Sequence, residues 1–406
     1  MEDRKVLESK KCILMMTSGA IAIFFTGFPH VWSVYQPYMM EKAGWSQGQT
    51  SMCFYLALAV FVIGNIIGGR MQDGGNPRKV LAIGGGIFSA GIIFSAFLIQ
   101  SLPIPFYLTY GVMQGFGQGM IYATILPTAQ KWFPDRKGFA SGLIVAANGL
   151  CGLIMAPLSR YFLKSVGPQS TLLIIGIVIA IACAFCTLFF SLPQKVKKNQ
   201  NQKINMSRQL CASEMMRTKK FWFLLGAMFF GLIPYLLISP VSQNYQISKG
   251  IRETIAVSTV MIGSIMNAST RLFLPMAADK IGRVNCIKVV FIVAVVSMGI
   301  LSGVSGYGIT IAVILMYACY GGVMGSFPSL TSTLFGILHA GENYGCVMIG
   351  IILATIVAPC ITSLMEKLGY GMNQVFLVGM GSAVVALILI WLLGREKKEV
   401  TVLLVK

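Results

Sequence analysis

The sequence predicts an all-α integral membrane protein with twelve transmembrane helices in two similar six-helix bundles. Three observations carry this prediction. Of the 406 residues, 56% are hydrophobic and 11% are charged, a balance typical of membrane proteins rather than of water-soluble domains. The apolar residues form twelve runs of membrane-spanning length. Motifs in the first six runs recur in the last six at a nearly constant spacing.

Twelve stretches of the chain are long and apolar enough to cross a membrane. A helix needs about 20 apolar residues to span a hydrocarbon core of about 30 Å. We number the stretches segments 1 to 12, and their predicted ranges are 12–40, 47–70, 79–101, 105–131, 138–163, 170–192, 220–246, 253–278, 286–305, 308–337, 343–366 and 371–394. The connections are short, so little of the chain remains for a folded soluble domain.

The basic residues in the loops and near the segment ends predict the orientation. If both chain ends lie in the cytoplasm, 25 lysines and arginines fall on the cytoplasmic side and six on the other. Cytoplasmic loops carry an excess of positive charge, so this asymmetry predicts a multi-pass protein of the plasma (inner) membrane with both termini cytoplasmic. The net charge of +19 then reflects topology and contact with membrane lipid, and nucleic acid is not an expected partner.

The longest connection divides the chain into two halves. It covers residues 193–219, is polar and basic, and separates a predicted bundle at 1–192 from a second bundle at 220–406. The halves repeat one another, because Asp73 follows segment 2 and Asp279 follows segment 8, 206 residues later. Pro157 in segment 5 and Pro359 in segment 11 are 202 residues apart. Such a repeat is typical of secondary transporters, in which two bundles flank a central path.

One charged residue lies deep inside a predicted segment. Arg271 is eight residues before Asp279, which is about 12 Å along a helix and close to the membrane centre. An arginine at that depth costs roughly 2.5–3.5 kcal/mol on insertion scales. All thirteen acidic residues fall at segment ends or in loops. An anionic substrate would neutralise Arg271, since a guanidinium matches a planar carboxylate; a structural arginine bonded to backbone carbonyls is the alternative.

Other polar and aromatic residues within the segments are weaker candidates for the same site. His30 and Tyr35 lie in segment 1, where a proline can interrupt the helix and free backbone groups around a cavity. His30 titrates near neutral pH and could carry a proton, although a packed neutral histidine fits the sequence equally well. Gln114 and Gln118 in segment 4 share a helix face, and Asn148 lies inside segment 5. At least one of these three amides is expected to face the path.

Glycines recur every four residues along segment 4, at Gly111, Gly115 and Gly119. This spacing predicts a close approach of a neighbouring helix. The surrounding GFGQG is not a nucleotide-binding loop, because neither a strand nor the Lys-Ser/Thr pair of a phosphate site accompanies it. The sequence therefore predicts no cofactor and no metal, and transport driven by gradients rather than by ATP.

Two groups of motifs resemble known families. The loop from Gly69 to Asp73 after segment 2, and its echo from Asp279 to Arg283 after segment 8, are similar to the loops of the major facilitator superfamily. The stretches KWFPDRKGFASG (131–142), GFPHVWSVY (27–35) and ENYG (342–345) resemble the oxalate/formate antiporter family, a bacterial relative of the monocarboxylate transporters. The resemblance covers the whole chain and implies the major facilitator fold, a monomer and a small organic anion as substrate.

The resemblance also implies roles for individual residues. An arginine of segment 8 holds the substrate carboxylate in this family, and Arg271 occupies that position. Asn267 stands where the monocarboxylate transporters have an aspartate, and Tyr320 stands where the family has an aromatic wall. The family's lysine in segment 11 corresponds to Ile351. Because one cation suits a monoanion, we expect a monocarboxylate such as lactate, pyruvate or formate rather than oxalate.

Two pairs of charged residues are similar to the cytoplasmic gates of the superfamily. Asp73 with Arg78 follows segment 2, and Asp279 with Arg283 follows segment 8. The resemblance implies that these pairs hold helix ends together in one conformation and separate in the other. Surface ion pairs without a gating role, worth about 0–1 kcal/mol each, are the alternative.

The predicted function is exchange of small carboxylates by alternating access between the two halves. Exchange is favoured over proton-coupled transport because no acidic residue lies inside a segment to carry a proton. Carboxylate–proton symport, with the proton moving with the substrate or through His30, is the alternative. An enzyme is not expected, since His30 and His339 lie in different segments with no acid beside either. A sensor would be expected to carry an appended signalling domain, and the predicted tails are too short for one.

Overall fold

The computed structural model describes residues 2–73, 76–99, 103–132, 137–192, 210–336 and 340–403. Within these ranges all regular secondary structure is helical. Each predicted segment coincides with one helix or with a helix that is broken into shorter pieces. The chain therefore has the all-α architecture that its apolar runs predict.

The first six segments contain the following helices. Segment 1 comprises Glu2–Phe25, the short 3-10 helix Phe28–Val31 and Trp32–Ala43; segment 2 is Gln47–Asp73; segment 3 is Pro77–Phe97; segment 4 comprises Pro103–Phe106, the π-helix Tyr107–Met113 and Gln114–Trp132; segment 5 comprises Lys137–Gly149 and Cys151–Ser165; segment 6 is Gly167–Phe189.

The second half repeats this order with fewer interruptions. Segment 7 comprises Lys219–Ile238, the 3-10 helix Ser239–Val241 and Ser242–Ser248; segment 8 is Glu253–Ile281; segment 9 is Arg283–Gly303; segment 10 is Tyr307–Phe335; segment 11 is Ala340–Lys367; segment 12 is Met372–Leu403.

Most of the predicted spans meet the physical requirement for crossing a membrane. In the described part of the chain nine helices are long and apolar enough, and a tenth span is obtained when the two bent helices of segment 1 are counted together. Segments 4 and 8 fall outside this group, because segment 4 is divided into three helical pieces and segment 8 carries many polar side chains. The total of twelve crossings stays a prediction for these two segments.

Segments 1 and 7 are both interrupted by a short 3-10 helix that contains a proline. The helices of segment 1 meet at an angle of 41°, and Pro29 lies in the 3-10 helix between them. Pro240 lies in the corresponding 3-10 helix of segment 7. A proline lacks an N–H donor and crowds the preceding turn, so both breaks have a local cause. The interruption expected at Pro29 is confirmed, and it places His30 at the bend.

The segment ends define two faces of the molecule. At the face that we call the basic face, the Arg78 Nε donates to the carbonyl of Phe190 at 2.7 Å and the indole N–H of Trp132 donates to the carbonyl of Ser191 at 3.0 Å. These contacts join the ends of segments 3, 4 and 6. At the opposite face, Tyr107 at the start of segment 4 donates to the carbonyl of Gln49 at the start of segment 2, at 2.8 Å.

The predicted connection between the halves is described from residue 210 onward. The N–H of Leu210 donates to the carbonyl of Phe335 at 2.9 Å, and Asn343 Nδ2 donates to the carbonyl of Leu210 at 2.9 Å. The short helix Ala212–Met216 follows and leads into segment 7. The end of the connection is therefore fixed to segments 10 and 11 at the basic face. The division of the chain into units 1–192, 193–219 and 220–406 stays a prediction.

The glycines of segment 4 pack against the backbone of segment 2, as their spacing predicts. A Cβ atom added to Gly115 would lie 2.4 Å from the carbonyl oxygen of Ala57, and one added to Gly119 would lie 2.2 Å from that of Phe61. Gly111 faces the Leu56 side chain at 2.8 Å. No side chain fits at such distances, so the two backbones are in direct contact.

We expect Gly119→Leu to prevent correct packing of the first half. An overpacked core site costs about 1–3 kcal/mol, and the cost should be larger here because backbone atoms of segment 2 cannot move aside. The measurement is the thermal midpoint and the monodisperse fraction of the purified protein in detergent. Gly86→Leu is the matched control, because nothing lies within 4 Å of a Cβ at Gly86. Equal stability of the two variants would contradict the predicted contact.

Candidate functional site

Arg271 lies where segment 8 of the second half meets segment 5 of the first half. Its side chain is only 3% exposed. The Nη1 atom donates to Asn148 Oδ1 at 2.6 Å and to the carbonyl of Val145 at 3.4 Å. Its Nε is buried without a hydrogen-bond partner among the described residues. The guanidinium is thus held by neutral acceptors and keeps an unused donor.

Protein carboxylates do not neutralise Arg271 in the described part of the structure. There, the ion pairs are those of Glu253 with Arg160 and Lys164 at the opposite face. This agrees with the sequence-based expectation that no acidic residue lies at the depth of Arg271. A buried cation with only neutral partners is electrostatically unfavourable and attracts an anion.

Glycines on two sides bring the neighbouring helices close to segment 8. A Cβ on Gly149 of segment 5 would lie 2.8 Å from the Cα of Ala268. A Cβ on Gly325 of segment 10 would lie 2.9 Å from the Cα of Arg271. Because segment 8 is wedged between two glycine-lined helices, the position of Arg271 is fixed by backbone packing. The sequence analysis did not identify these glycines as neighbours of Arg271.

Asn148 connects Arg271 to segment 1. Its Nδ2 donates to Thr26 Oγ1 at 2.9 Å, while its Oδ1 accepts from Arg271. Thr26 in turn donates to the carbonyl of Ile23 at 2.6 Å. Both the amide nitrogen and the amide oxygen of Asn148 therefore form hydrogen bonds. These bonds connect segment 1 through segment 5 to segment 8. Among the amides considered from the sequence, Asn148 is the one in contact with Arg271.

Tyr320 and His30 lie next to the arginine. The Tyr320 ring centroid is 5.4 Å from the guanidinium carbon of Arg271, within the range of a cation–π interaction. The same ring centroid is 4.9 Å from that of His30. His30 and Tyr320 are thus neighbours across the two halves. The sequence assigned both to the site for different reasons, His30 for its place beside a proline and Tyr320 for its resemblance to an aromatic wall.

Two tyrosines that the sequence analysis missed complete this group. The Tyr235 hydroxyl and His30 Nδ1 form a hydrogen bond of 2.9 Å, and the Tyr235 ring stacks on Tyr320 with centroids 4.2 Å apart. The Tyr317 hydroxyl donates to the backbone carbonyl of His30 at 3.3 Å. His30 lies in the 3-10 helix that interrupts segment 1. The only sequence signal for Tyr235 is its position directly after Pro234 in an otherwise apolar helix.

Asn267 lies one helical turn from Arg271 and faces segment 10. It is 2% exposed, and a Cβ on Gly321 would lie 2.7 Å from its Oδ1. That oxygen has no hydrogen-bond partner among the described residues. Asn267 is therefore a neutral neighbour of the site with an unused acceptor.

Tyr35 and Gln114 belong to a separate group inside the first half. The Tyr35 hydroxyl donates to Ser159 Oγ at 2.8 Å, and its ring stacks on Trp32 with centroids 6.0 Å apart. Both amide atoms of Gln114 are buried without a partner in the described chain, one turn after Tyr110, whose ring contacts Trp32 at 4.4 Å. The structure thus unites Arg271 with Asn148, Tyr320 and His30, whereas Tyr35 bonds within the first half and Gln114 has no hydrogen-bond partner among the described residues.

The arginines of the two predicted gates bind carbonyls of their own half. Arg78 donates to Phe190 of segment 6, and Arg283 donates to the carbonyl of Ser329 in segment 10. The side chains of Asp73 and Asp279 lie outside the described residues. The Asp73–Arg78 and Asp279–Arg283 pairs therefore stay a prediction.

An ion-pair cluster that the sequence analysis did not foresee joins the halves at the opposite face. Glu253 at the start of segment 8 accepts from Arg160 Nε at 2.9 Å and from Lys164 Nζ at 2.7 Å, both at the end of segment 5. Nearby, Asn244 Nδ2 donates to Gln47 Oε1 at 3.5 Å. Together with the contacts of Arg271 and His30, these hydrogen bonds join the halves from the site to the opposite face.

Comparisons with known proteins agree with this architecture. The chain matches the family model of the Major Facilitator Superfamily over residues 15–345. The oxalate:formate antiporter of Oxalobacter formigenes is 30% identical over 326 residues, which cover 79% of this chain and 76% of that protein. Monocarboxylate transporter 11 of Homo sapiens is 32% identical over 142 residues, which cover 35% of this chain and 30% of that protein.

Solved structures show the same fold at low sequence identity. The nucleoside transporter NupG superimposes with a TM-score of 0.70 at 15% identity, covering 94% of this chain and 99% of that chain. A D-xylose-proton symporter superimposes with a TM-score of 0.68 at 15% identity, covering 93% and 97%. The family membership predicted from the motifs is confirmed. The chain belongs to the major facilitator superfamily, in the family of the oxalate:formate antiporter, and is a multi-pass membrane transporter rather than an enzyme.

Proposed function

We propose that this transporter exchanges small monocarboxylates across the membrane and that Arg271 binds the substrate carboxylate. The observation that carries the proposal is a buried arginine without an acidic partner, which keeps a free Nε between the two halves. A carboxylate at this position would accept charge-assisted hydrogen bonds, which are shorter and roughly twice as strong as those of neutral acceptors. The names of the antiporter and monocarboxylate transporter relatives support small carboxylates as the wider substrate class.

A monocarboxylate is favoured over oxalate because Arg271 faces no second cation in segment 11. Ile351, which stands where the family has a lysine, is an apolar residue that is 3% exposed. One guanidinium balances one negative charge, and a second buried carboxylate would remain uncompensated at high cost. The proposed substrates are therefore lactate, pyruvate or formate.

Exchange is favoured over net transport because the empty carrier would have to move an uncompensated charge. Arg271 is neutralised only when a carboxylate is bound, so the halves should rearrange readily in the loaded state. Carboxylate–proton symport is the second candidate, and the observation that favours it is the position of His30 beside Tyr320 and Arg271. In either mode we infer that the basic face is cytoplasmic and the opposite face extracellular, with a monomer as the working unit.

Counterflow in proteoliposomes tests the proposed function. Vesicles preloaded with formate, lactate, pyruvate, oxalate or a neutral sugar are diluted into labelled substrate, and uptake is compared between preloads. Monocarboxylate preloads should give uptake, while oxalate and the sugar should not. Stimulation by an acid-outside gradient in the absence of internal substrate would favour symport. Uptake driven by the sugar, or preferential exchange of oxalate, would overturn the assignment.

We further propose that the Glu253 cluster keeps the extracellular side closed. The pairs of Glu253 with Arg160 and Lys164 are partly exposed, so each is worth about 0–1 kcal/mol. They nevertheless act only in the conformation in which the two halves meet at this face. Glu253→Gln should therefore shift the population toward the extracellular-open state by about three- to tenfold.

Spin labels provide the measurement for this shift. Cysteines are introduced at Ser165 of segment 5 and Ser248 of segment 7, both exposed at the opposite face. The accessible native cysteines, Cys12, Cys211, Cys346 and Cys360, are replaced by serine so that electron paramagnetic resonance measures the distance between the two introduced labels. Glu366→Gln removes an exposed carboxylate at the same face outside the cluster and is the matched control. An unchanged distance distribution in Glu253→Gln would show that the cluster does not hold the face closed.

A further inference from the structure

A neutral hydrogen-bonding pair, His30 with Tyr235, lies beside the proposed carboxylate site without a role in charge neutralisation. The pair comes from the two broken segments, 1 and 7, and its hydrogen bond joins the two halves. His30 is buried, with 7% of its surface exposed.

The bond between the two residues fixes how many donors they can offer. A neutral imidazole has one N–H and one acceptor nitrogen, and His30 Nδ1 is occupied by the Tyr235 hydroxyl. If the hydroxyl donates to Nδ1, then Nε2 carries the proton and is the free donor; if Nδ1 donates, then the Tyr235 hydroxyl proton is the free donor. In either case the pair offers one neutral donor rather than a charge. Such a donor matches a hydroxyl or ketone oxygen better than a second carboxylate.

The distances fit a very small ligand. The Tyr320 ring lies 5.4 Å from the guanidinium carbon of Arg271 and 4.9 Å from the His30 ring centroid, so arginine and histidine are at most about 10 Å apart. With a hydrogen bond of about 3 Å at either end, a ligand that reached both groups would be no longer than a carboxylate and the adjacent carbon with its oxygen. The stacked rings of Tyr320 and Tyr235, 4.2 Å apart, would form the wall along that ligand.

We infer that the pair of His30 and Tyr235 recognises an oxygen on the second carbon of the substrate, so that the transporter selects 2-hydroxy and 2-oxo monocarboxylates over simple fatty acids, and formate is the weakest of the proposed substrates. This inference rests on the proposed binding of the carboxylate by Arg271. A site built to bond such an oxygen rejects the analogue that lacks it, because the buried polar atoms would be left unpaired.

Lactate and propionate provide the test, since they differ only by the 2-hydroxyl group. Each is used at graded concentrations to inhibit exchange of labelled lactate in proteoliposomes containing the full chain. The parent protein should bind lactate at least about tenfold more tightly than propionate. His30→Phe and Tyr235→Phe should reduce this ratio to about one while propionate continues to inhibit, because Arg271 is intact. Tyr235→Phe also keeps the ring that stacks on Tyr320.

The outcomes separate the inference from the function on which it rests. Equal inhibition by lactate and propionate in the parent would overturn the selectivity while leaving monocarboxylate exchange in place. Parallel loss of both ligands in the two variants would assign the pair a structural role and also overturn it. Absence of exchange with every monocarboxylate would overturn both the proposed function and this inference.

Discussion

Arg271→Gln is expected to lower the exchange of every carboxylate by at least about 100-fold while the protein still folds. Truncating one partner of a buried hydrogen-bonded charge pair costs about 2–5 kcal/mol, and 1.4 kcal/mol corresponds to a factor of ten. Glutamine keeps a donor for Asn148 Oδ1, which accepts from Nη1 at 2.6 Å in the parent. The variant should therefore retain the link between segments 5 and 8 but lose the positive charge. Counterflow with lactate and formate measures the effect.

Two further variants define this experiment. Arg271→Lys keeps the charge but loses the planar fork and the Nε donor, so partial activity is expected with a raised apparent Kd. Arg217→Gln removes an exposed arginine near the basic face and is the matched control for the loss of one charge. If Arg271→Gln and Arg217→Gln exchanged carboxylates equally well, Arg271 would be a structural residue and the proposed site would be wrong.

The fold was largely predictable because the membrane requires long apolar helices. Every predicted segment coincides with a helix, and the glycine spacing in segment 4 correctly predicts a backbone contact. The π-helix Tyr107–Met113 was not predicted, since it differs from an α-helix only in its hydrogen-bond register. The break at Pro240 was not predicted, because Pro240 lies 211 residues after Pro29, outside the spacing of 202 to 206 residues that relates the other repeated positions.

The site was partly predictable from the sequence, because a charge inside the membrane has a large free-energy cost. A charge inside an apolar run is expensive and therefore visible in a sequence, which identified Arg271. Tyr235 and Tyr317 were missed because an aromatic residue in an apolar helix has the same pattern whether it packs or binds. The Glu253 cluster was missed because its members are ordinary polar residues at segment ends. Their pairing depends on how segment 5 meets segment 8, which periodicity does not encode.

The contacts at the two faces differ in whether they join the two halves. Glu253 joins the halves through ion pairs at the opposite face, whereas Arg78 and Arg283 at the basic face bond carbonyls within their own halves. Opening toward the basic face would leave these two carbonyl hydrogen bonds intact. Opening toward the opposite face would break the Glu253 ion pairs.

Asn148→Asp is expected to abolish exchange by supplying an internal substitute for the substrate. Asn148 Oδ1 already lies 2.6 Å from Arg271 Nη1, so a carboxylate at this position would form a buried ion pair with almost no movement. An incoming monocarboxylate would then have to displace a charged partner that is covalently held in place. We expect at least about a 100-fold loss of exchange, a higher thermal midpoint without substrate, and no further rise when lactate is added.

Asn148→Ala is the matched variant that decides how the asparagine works. If Asn148 only holds Arg271 between transport cycles, alanine frees the guanidinium and exchange should persist, with a larger stabilisation by lactate than in the parent. If Asn148 instead binds the substrate, alanine and aspartate should both lose exchange. In Asn148→Asp the charge of Arg271 would be compensated whether or not a carboxylate is bound. If this variant exchanged carboxylates at the parental rate, neutralisation of Arg271 could not be the event that couples substrate binding to movement of the two halves.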